Sequence, residues 1–332
     1  MENQNYNGVS NQHISISYPN QRCTVKNCTF SNCYATGNGG ALNVMMSNQA
    51  PGYMSNCNFT NCTSTANGGG IWLAVGTATV FTMEGLLKFK DCRGGTGGAF
   101  YASIGSENSK LIINQMQIQD CSSSNIGGGM YLQSKLQAIV NIEQLTFKNC
   151  SSQSSGGGGA YIISESKGYI TINQTTAEDC VCSKGNGGGI FVSIDFGASS
   201  QFKMINISVL RCKAQSDASN DIPPTGYGGG IFLTGYGDYN SLSKMLDFRK
   251  MKFNGNTANK SGQTMYVAIS KVVEWCKDGT AGEYVKGNYS DGISNQNELQ
   301  GIPVDSTTFF SQSSTQISSI QKYLEEFNHL IQ

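Results

Sequence analysis

The sequence predicts an all-β fold, a right-handed parallel β-helix (solenoid) of about eight coils with a short C-terminal helix. Three observations carry this. Glycine-rich runs, each leading into an alternating apolar strand, begin at Gly39, Gly68, Gly97, Gly127, Gly158, Gly187, Gly228 and, in degenerate form, Gly262. The first six starts lie 29, 29, 30, 31 and 29 residues apart, too regular for chance and too short for separate domains. A second marker, Phe-x-Asn/Asp-Cys, recurs at Phe30 to Cys33, Phe59 to Cys62, Phe89 to Cys92 and Phe147 to Cys150, with looser copies ending at Cys121, Cys180 and Cys212.

The third observation is alternation. Aligning the runs places Leu42, Ile71, Phe100, Met130, Tyr161, Ile190, Ile231 and Met265 in one column. Val44, Leu73, Ala102, Leu132, Ile163, Val192, Leu233 and Val267 follow two positions on. A period of two is one face of a strand. With one coil per repeat, equivalent residues stack at about 4.8 Å and the columns become buried ladders.

The elements follow in chain order. Residues 1–22 read as a partial coil or cap, because Gly8-Val9-Ser10 followed by Ile14 and Ile16 resembles the tail of an earlier coil. That is the pattern of a chain beginning part-way through a longer helix. Residues 23–270 hold the repeats. Their other strands, such as Leu111-Ile112-Ile113, Ala138 to Ile142, Tyr169 to Ile172 and Met204 to Ile207, are short and rich in β-branched residues. Glycines at the corners suit positive φ and close stacking of backbones. Residues 271–332 read as a C-terminal cap, since an open solenoid end exposes strand edges and core. Within it, 271–312 is turn-rich, with Lys277-Asp278-Gly279 and Gly301-Ile302-Pro303. Ile317, Ile320, Leu324, Phe327 and Ile331 then recur at spacings of three and four, predicting one amphipathic helix through about Leu330.

The paired motifs carry a resemblance. Phe-x-x-Asn followed by a Gly-Gly-rich strand start, across residues 23–267, resembles the polymorphic outer-membrane proteins (GGAI/FxxN) of chlamydiae and related surface proteins of bacteria and protists. The last copy, Phe253-Asn254-Gly255-Asn256, has Asn in place of the ladder Cys. The resemblance implies a right-handed β-helix and an extracellular or cell-surface scaffold, adhesin-like rather than catalytic. Met1 to Asn5 shows neither the basic nor the apolar region of a secretory signal, in contrast to that expected location.

Composition narrows the classes. Charged residues are 13% of the chain, against roughly 25% in an average globular protein, and the formal net charge is zero. No basic run supplies the electrostatic footprint of a nucleic-acid partner. No apolar stretch reaches the length of a transmembrane helix.

Seven of the twelve cysteines, Cys33, Cys62, Cys92, Cys121, Cys150, Cys180 and Cys212, share one repeat position, and Cys28 and Cys57 form a shorter column. Burial as a ladder of thiols is the main expectation. Disulfides between rungs are the alternative, with parallel side chains making the torsion awkward. No metal site or cofactor is assigned: only Cys180-x-Cys182 is closely spaced, and His13 and His329 stand alone. Asn27, Asn58, Asn61, Asn149, Asn173, Asn206, Asn259 and Asn288 each begin an Asn-x-Ser/Thr sequon, compatible with a glycosylated surface protein.

Three features are candidates for function. The first is the column between the buried ladders, Trp72, Tyr101, Tyr131, Phe191, Phe232 and Tyr266, interrupted by Asn43 and Ile162. Alternation points it outward, where it can bind carbohydrate or a surface protein. Stacked aromatics also stabilise a parallel sheet, and a covering loop would remove them from solvent. The second is the column Asp91, Asp120 and Asp179, with Asn at equivalent places. Paired carboxylates serve glycoside hydrolysis, but an Asn/Asp mixture is also what a turn requires. The Asn-Thr-Asp, Gly-His-Gly and Arg-x-Lys motifs of β-helix pectinases do not occur as a set. The third is a pair of long connections. Fifteen residues, Lys213 to Tyr227, hold Asp217, Asp221, Pro223, Pro224 and Tyr227; Thr234 to Lys244 hold Tyr236 and Tyr239. Loops on a rigid scaffold are frequent binding elements, and both also read as tolerated insertions. The expected function is a noncatalytic binding module, with a carbohydrate-active lyase or hydrolase and a passive spacer as alternatives.

Overall fold

The computed structural model describes residues 1–278, Val285 and residues 298–329. It is a parallel β-solenoid of about nine turns with few helices. One sheet runs through Gln12–Ile16, Leu42–Met46, Ile71–Val75, Phe100–Gly105, Met130–Lys135, Ala160–Ser164, Ile190–Asp195, Ile231–Tyr236, Met265–Ala268 and Leu299–Ile302. A second is built on the longest strands, from Val80–Lys90 to Gln201–Leu210, and a third on two-residue strands from Tyr34–Ala35 to Thr257–Ala258. There is one turn more than the glycine starts indicate, because the first 22 residues already pair. Asn5–Asn7 lies beside Thr29–Ser31, and Gln12–Ile16 beside Leu42–Met46.

The two inward columns are buried along the solenoid, with one change of register. The fifth repeat starts at Gly157, whose φ of 66° matches 63° at Gly127 and 68° at Gly187. Ala160, not Tyr161, therefore continues the column from Met130 to Ile190, and Ile162 rather than Ile163 continues the other. Four consecutive glycines, 156–159, made either frame readable. The structure selects the one that avoids burying a phenol hydroxyl in an apolar core. Tyr161 thereby turns outward between Tyr131 and Phe191.

The opposite wall of the core holds a ring stack, Tyr6–Phe30–Phe59–Phe89, with centroids 4.9, 4.9 and 4.6 Å apart. Next to it runs the cysteine ladder, and all twelve cysteines are buried free thiols. The ladder sulfurs donate to main-chain carbonyls: Cys62 reaches Phe30 O and Thr60 O, both at 3.5 Å, and Cys212 reaches Ala177 O and Leu210 O, again at 3.5 Å. Burial pushes Cys33 and Cys57 up to about 11. Cys62 and Cys92 are raised further, first by the thiol of the next rung and also by burial. Asn256 ends the ladder, accepting from Cys212 N at 2.9 Å and donating to Val209 O at 2.9 Å.

Glycine is obligatory where backbones of neighbouring turns meet. A Cβ on Gly98 would stand 2.0 Å from Gly128 O and 2.4 Å from Ser122 O, main-chain atoms that cannot rotate away.

Among its described residues the C-terminal region holds four short helices, α1 (Val272–Cys276), α2 (Ser306–Ser311), α3 (Ser314–Ile320) and α4 (Leu324–His329). The single amphipathic helix expected from the sequence is broken: Lys322–Tyr323 between α3 and α4 pairs antiparallel with Leu299–Ile302. The break divides the apolar residues between two surfaces. Leu324 and Phe327 join the main core with Trp275, whereas Ile317 packs on the outside of the aromatic sheet. Ile320 is exposed, and Ile331 lies outside the described residues, as do Gly279 and Asn288.

Candidate functional site

In register, the outward column is Trp72, Tyr101, Tyr131, Tyr161, Phe191, Phe232 and Tyr266, with Asn43 and His13 on the N-terminal rungs. Ile162 is no interruption, since Tyr161 takes its place. Successive centroids lie 6.1, 4.6, 6.0, 4.3, 5.1 and 6.0 Å apart, and most ring planes are within 12° of parallel. Flat rings side by side in one plane cannot approach to 4.3 Å. The rings therefore face one another along the solenoid and turn their edges outward, so the column does not offer a row of ring faces.

Exposure of this column is graded, so the two readings of it divide along its length: the N-terminal rings stay partly open and the C-terminal rings are covered. Trp72, Tyr101 and Tyr161 are half-buried, Tyr131 is 9% exposed, and Phe191, Phe232 and Tyr266 are buried. The cover comes from the chain itself. Phe309 of α2 lies 5.2 Å from the Phe232 ring and 5.5 Å from that of Tyr227, and Ile302 and Ile317 complete a small second core outside the sheet. Local signals fix these helices. Asp305 caps α2 by accepting from Thr308 N at 2.8 Å, and Ser313 and Gln316 form a capping box on α3.

The long connection lies against this cover. Buried Asn186 secures it, donating to Pro224 O and accepting from Tyr227 N, both at 2.9 Å. Thr225 Oγ1 accepts from Asp217 N at 2.8 Å, and Asp221 accepts from Ser314 N at 3.1 Å, tying the loop to α3. Tyr227, the last residue of the connection, is buried with its ring against those of Tyr266 and Phe309. Of the second connection, Tyr236 extends its strand into solvent. Tyr239 is buried apart from the first loop, its hydroxyl donating to Asp278 Oδ2 at 2.6 Å.

Where column, loop and α2 meet there is a solvent-open cleft of about 450 Å³. Tyr161 and Phe191 line it from the sheet, Pro223 and Pro224 from the loop, and Phe310 from α2. Its polar residues are Ser154, Ser155, Lys184, Asn186, Asp217, Asn220 and Thr225. Lys184 Nζ stands 4.0 Å from Asp217 Oδ1, which also accepts from Ser219 N and Oγ at 3.0 and 2.6 Å. The Ser219 bonds hold the Asp217 carboxyl below its ordinary range, with Lys184 adding to the effect. Of the residues singled out from sequence, Phe191 and Asp217 line this cleft with the loop prolines, while Tyr227 and Asp221 brace it. Trp72, Tyr101 and Tyr131 continue the stack away from it. Sequence reasoning missed Tyr161, Lys184 and Phe310. The Ser313-x-x-Gln316 capping box just after Phe309-Phe310 was a readable signal for the last.

The carboxylate column belongs to turns. Asp91, Asp120 and Asp179 have φ of 55°, 54° and 54°, as do Asn32, Asn61 and Asn149 at 54°, 52° and 51°. Left-handed backbone favours Asn and Asp. Their side chains bond along the column: Asn61 donates to Asn32 at 2.7 Å and Asn149 to Asp120 at 2.8 Å. The sequons at Asn61 and Asn149 thus arise from a turn Asn, a ladder Cys and a strand Thr or Ser. Among the described residues no group of three His, Cys, Asp or Glu is arranged to hold a metal ion. No described helix is long and apolar enough to cross a membrane.

No protein-family model, curated protein or solved structure matches the chain. The solenoid stands on the structure, and the likeness to the polymorphic outer-membrane proteins rests on the paired motifs alone.

Proposed function

We propose that this chain is a noncatalytic β-helix binding module of a surface or secreted protein, with its ligand site in the cleft at the end of the uncovered ring column. The observation carrying this reading is the convergence of three separate parts of the chain on one cleft. Tyr161 and Phe191, the loop from Asp217 to Thr225, and Phe310 supply rigid apolar walls and a polar rim. Ligand sites are commonly concave, mostly apolar and provided with a few placed polar groups, in volumes of about 300–1,000 Å³. The chemistry is that of binding. Its two charged side chains, Lys184 and Asp217, pair with one another, and Asp217 stays ionised, so it is an acceptor rather than a proton donor. The surface location follows the motif resemblance.

The test is capture of glycans and extracellular-type proteins by the full chain and two variants. Ser154→Trp fills the cleft from the solenoid side, and Trp72→Ala removes the first ring of the column. The expected result is a ligand held by the wild type and Trp72→Ala and lost in Ser154→Trp. Loss in Trp72→Ala alone would move the site to the N-terminal end of the stack. Binding unchanged in both would overturn it.

A further inference from the structure

The reading of the cleft as a binding site can be taken to a ligand class, and this step rests on that reading. We propose that the cleft takes a neutral pyranose ring at an end or branch of a glycan, its adjacent hydroxyls shared between Lys184 and Asp217 and its C–H face against Phe310 and the Pro223–Pro224 wall.

Charge comes first. Lys184 and Asp217 are the charged side chains lining the cleft, and they are opposite and 4.0 Å apart. An anionic ligand would engage Lys184 beside a carboxylate, and a cationic ligand would meet the ammonium. A neutral ligand with two adjacent hydroxyls suits both groups, since one oxygen accepts from Lys184 while the neighbouring hydroxyl donates to Asp217. The groups have the capacity. The bonds from Ser219 and the pair with Lys184 use Asp217 Oδ1, the Asn220 side chain adds a weaker interaction with the same carboxylate, and a carboxylate has about four lone-pair sites, so Asp217 keeps acceptor capacity; the Lys184 side chain is 59% exposed. Charge-assisted hydrogen bonds of this kind are the stronger ones.

The walls agree with a ring whose faces are C–H and whose rim is hydroxyl. Phe310, Pro223 and Pro224 are stiff and hold their shape through the Asn186 and Asp221 bonds. A peptide added as a strand needs free backbone donors and acceptors. Here four of the loop's N–H groups are already used: Asp217 N on Thr225 Oγ1, Ser219 N on Asp217 Oδ1, Gly226 N on Gly185 O at 2.9 Å, and Tyr227 N on Asn186 Oδ1.

The experiment presents the full chain with three sets of probes: glycans ending in glucose, galactose or mannose; glycans ending in a uronic or sialic acid; and proline- and aromatic-containing peptides. Neutral glycans are expected to bind. Periodate, which cleaves adjacent hydroxyls, is expected to abolish binding when applied to the glycan beforehand. Asp217→Asn and Lys184→Met should each weaken it roughly tenfold or more, as loss of a charge-assisted bond requires. Asp91→Asn, remote from the cleft, should leave it unchanged, and unaltered melting of each variant separates these losses from misfolding. Peptides or acidic glycans bound in a Ser154→Trp-sensitive manner would overturn the ligand class and leave the binding-module reading standing. Retention after periodate would also overturn the class. Silence from all three sets would overturn the ligand class, and silence from extracellular-type proteins as well would overturn both.

Discussion

Replacing Asn256 tests how the thiol ladder ends. Its side chain is 5% exposed and bridges two buried main-chain groups, accepting from Cys212 N and donating to Val209 O, both at 2.9 Å. In Asn256→Ala both partners lose their bond without access to water. A buried group left unsatisfied costs about 1–3 kcal/mol, and Cys212 N is such a group, whereas Val209 O keeps its ladder bond to the strand Lys252–Asn254, so the loss is about 1–3 kcal/mol. Asn256→Cys restores the residue of the preceding rungs. A thiol at this position accepts from one rung's N–H, as Cys121 Sγ does from Cys92 N at 3.3 Å, and donates to a carbonyl, as Cys212 Sγ does to Ala177 O at 3.5 Å. Sulfur bonds are weaker, so Asn256→Cys should fall between wild type and Asn256→Ala. Urea unfolding followed by circular dichroism gives the order. Hydrogen exchange at Val209 to Ala214 is needed beside it, because a repeat array need not unfold in one step. Stability of Asn256→Ala equal to wild type, or below it by no more than Asn256→Cys, would refute the reasoning.

Four further outcomes follow from the same geometry. Gly98→Ala should fail to fold stably or lose at least about 1–3 kcal/mol, the usual cost of overpacking, because the added carbon meets two main-chain oxygens; wild-type-like unfolding would contradict this. A thiol reagent at pH 8 should label few of the twelve cysteines in the native chain and all of them in urea, since the thiols are buried and Cys33 and Cys57 are raised to about 11. The same raised thiols bind protons more tightly when folded, so their stabilisation is complete below about pH 9, the ordinary value, and is lost as pH rises through about 11. Alkaline unfolding curves should show that loss. Phe309→Ala should expose the Phe232 and Tyr266 rings and increase binding of a hydrophobic dye while the solenoid stays folded.

The solenoid was legible because a repeat averages its own noise: a column of apolar residues seen eight times outweighs any local ambiguity. Ambiguity returned where one repeat was degenerate. Glycines 156–159 permit two frames, and burial of Ala160 in place of Tyr161 is decided by packing against Met130 and Ile190 on neighbouring turns. The turn role of Asp91, Asp120 and Asp179 was readable from their exchange with Asn. The cleft was less accessible, because nothing local in Lys184, Phe191, Pro224 or Phe310 says that they meet. Their meeting depends on how a loop anchored by Asn186 and a segment about 90 residues beyond that loop fold back over the sheet. The edge-out stacking of the ring column was equally hidden, since alternation gives a side chain's face of the sheet but not its rotamer.

The most direct test of the central claim is a crystal structure of the full chain soaked with the neutral glycan that binds best. Density for a sugar ring between Phe310 and Pro223–Pro224, in contact with Lys184 and Asp217, is the expected result. Density against Trp72, or anywhere outside the cleft, would contradict it.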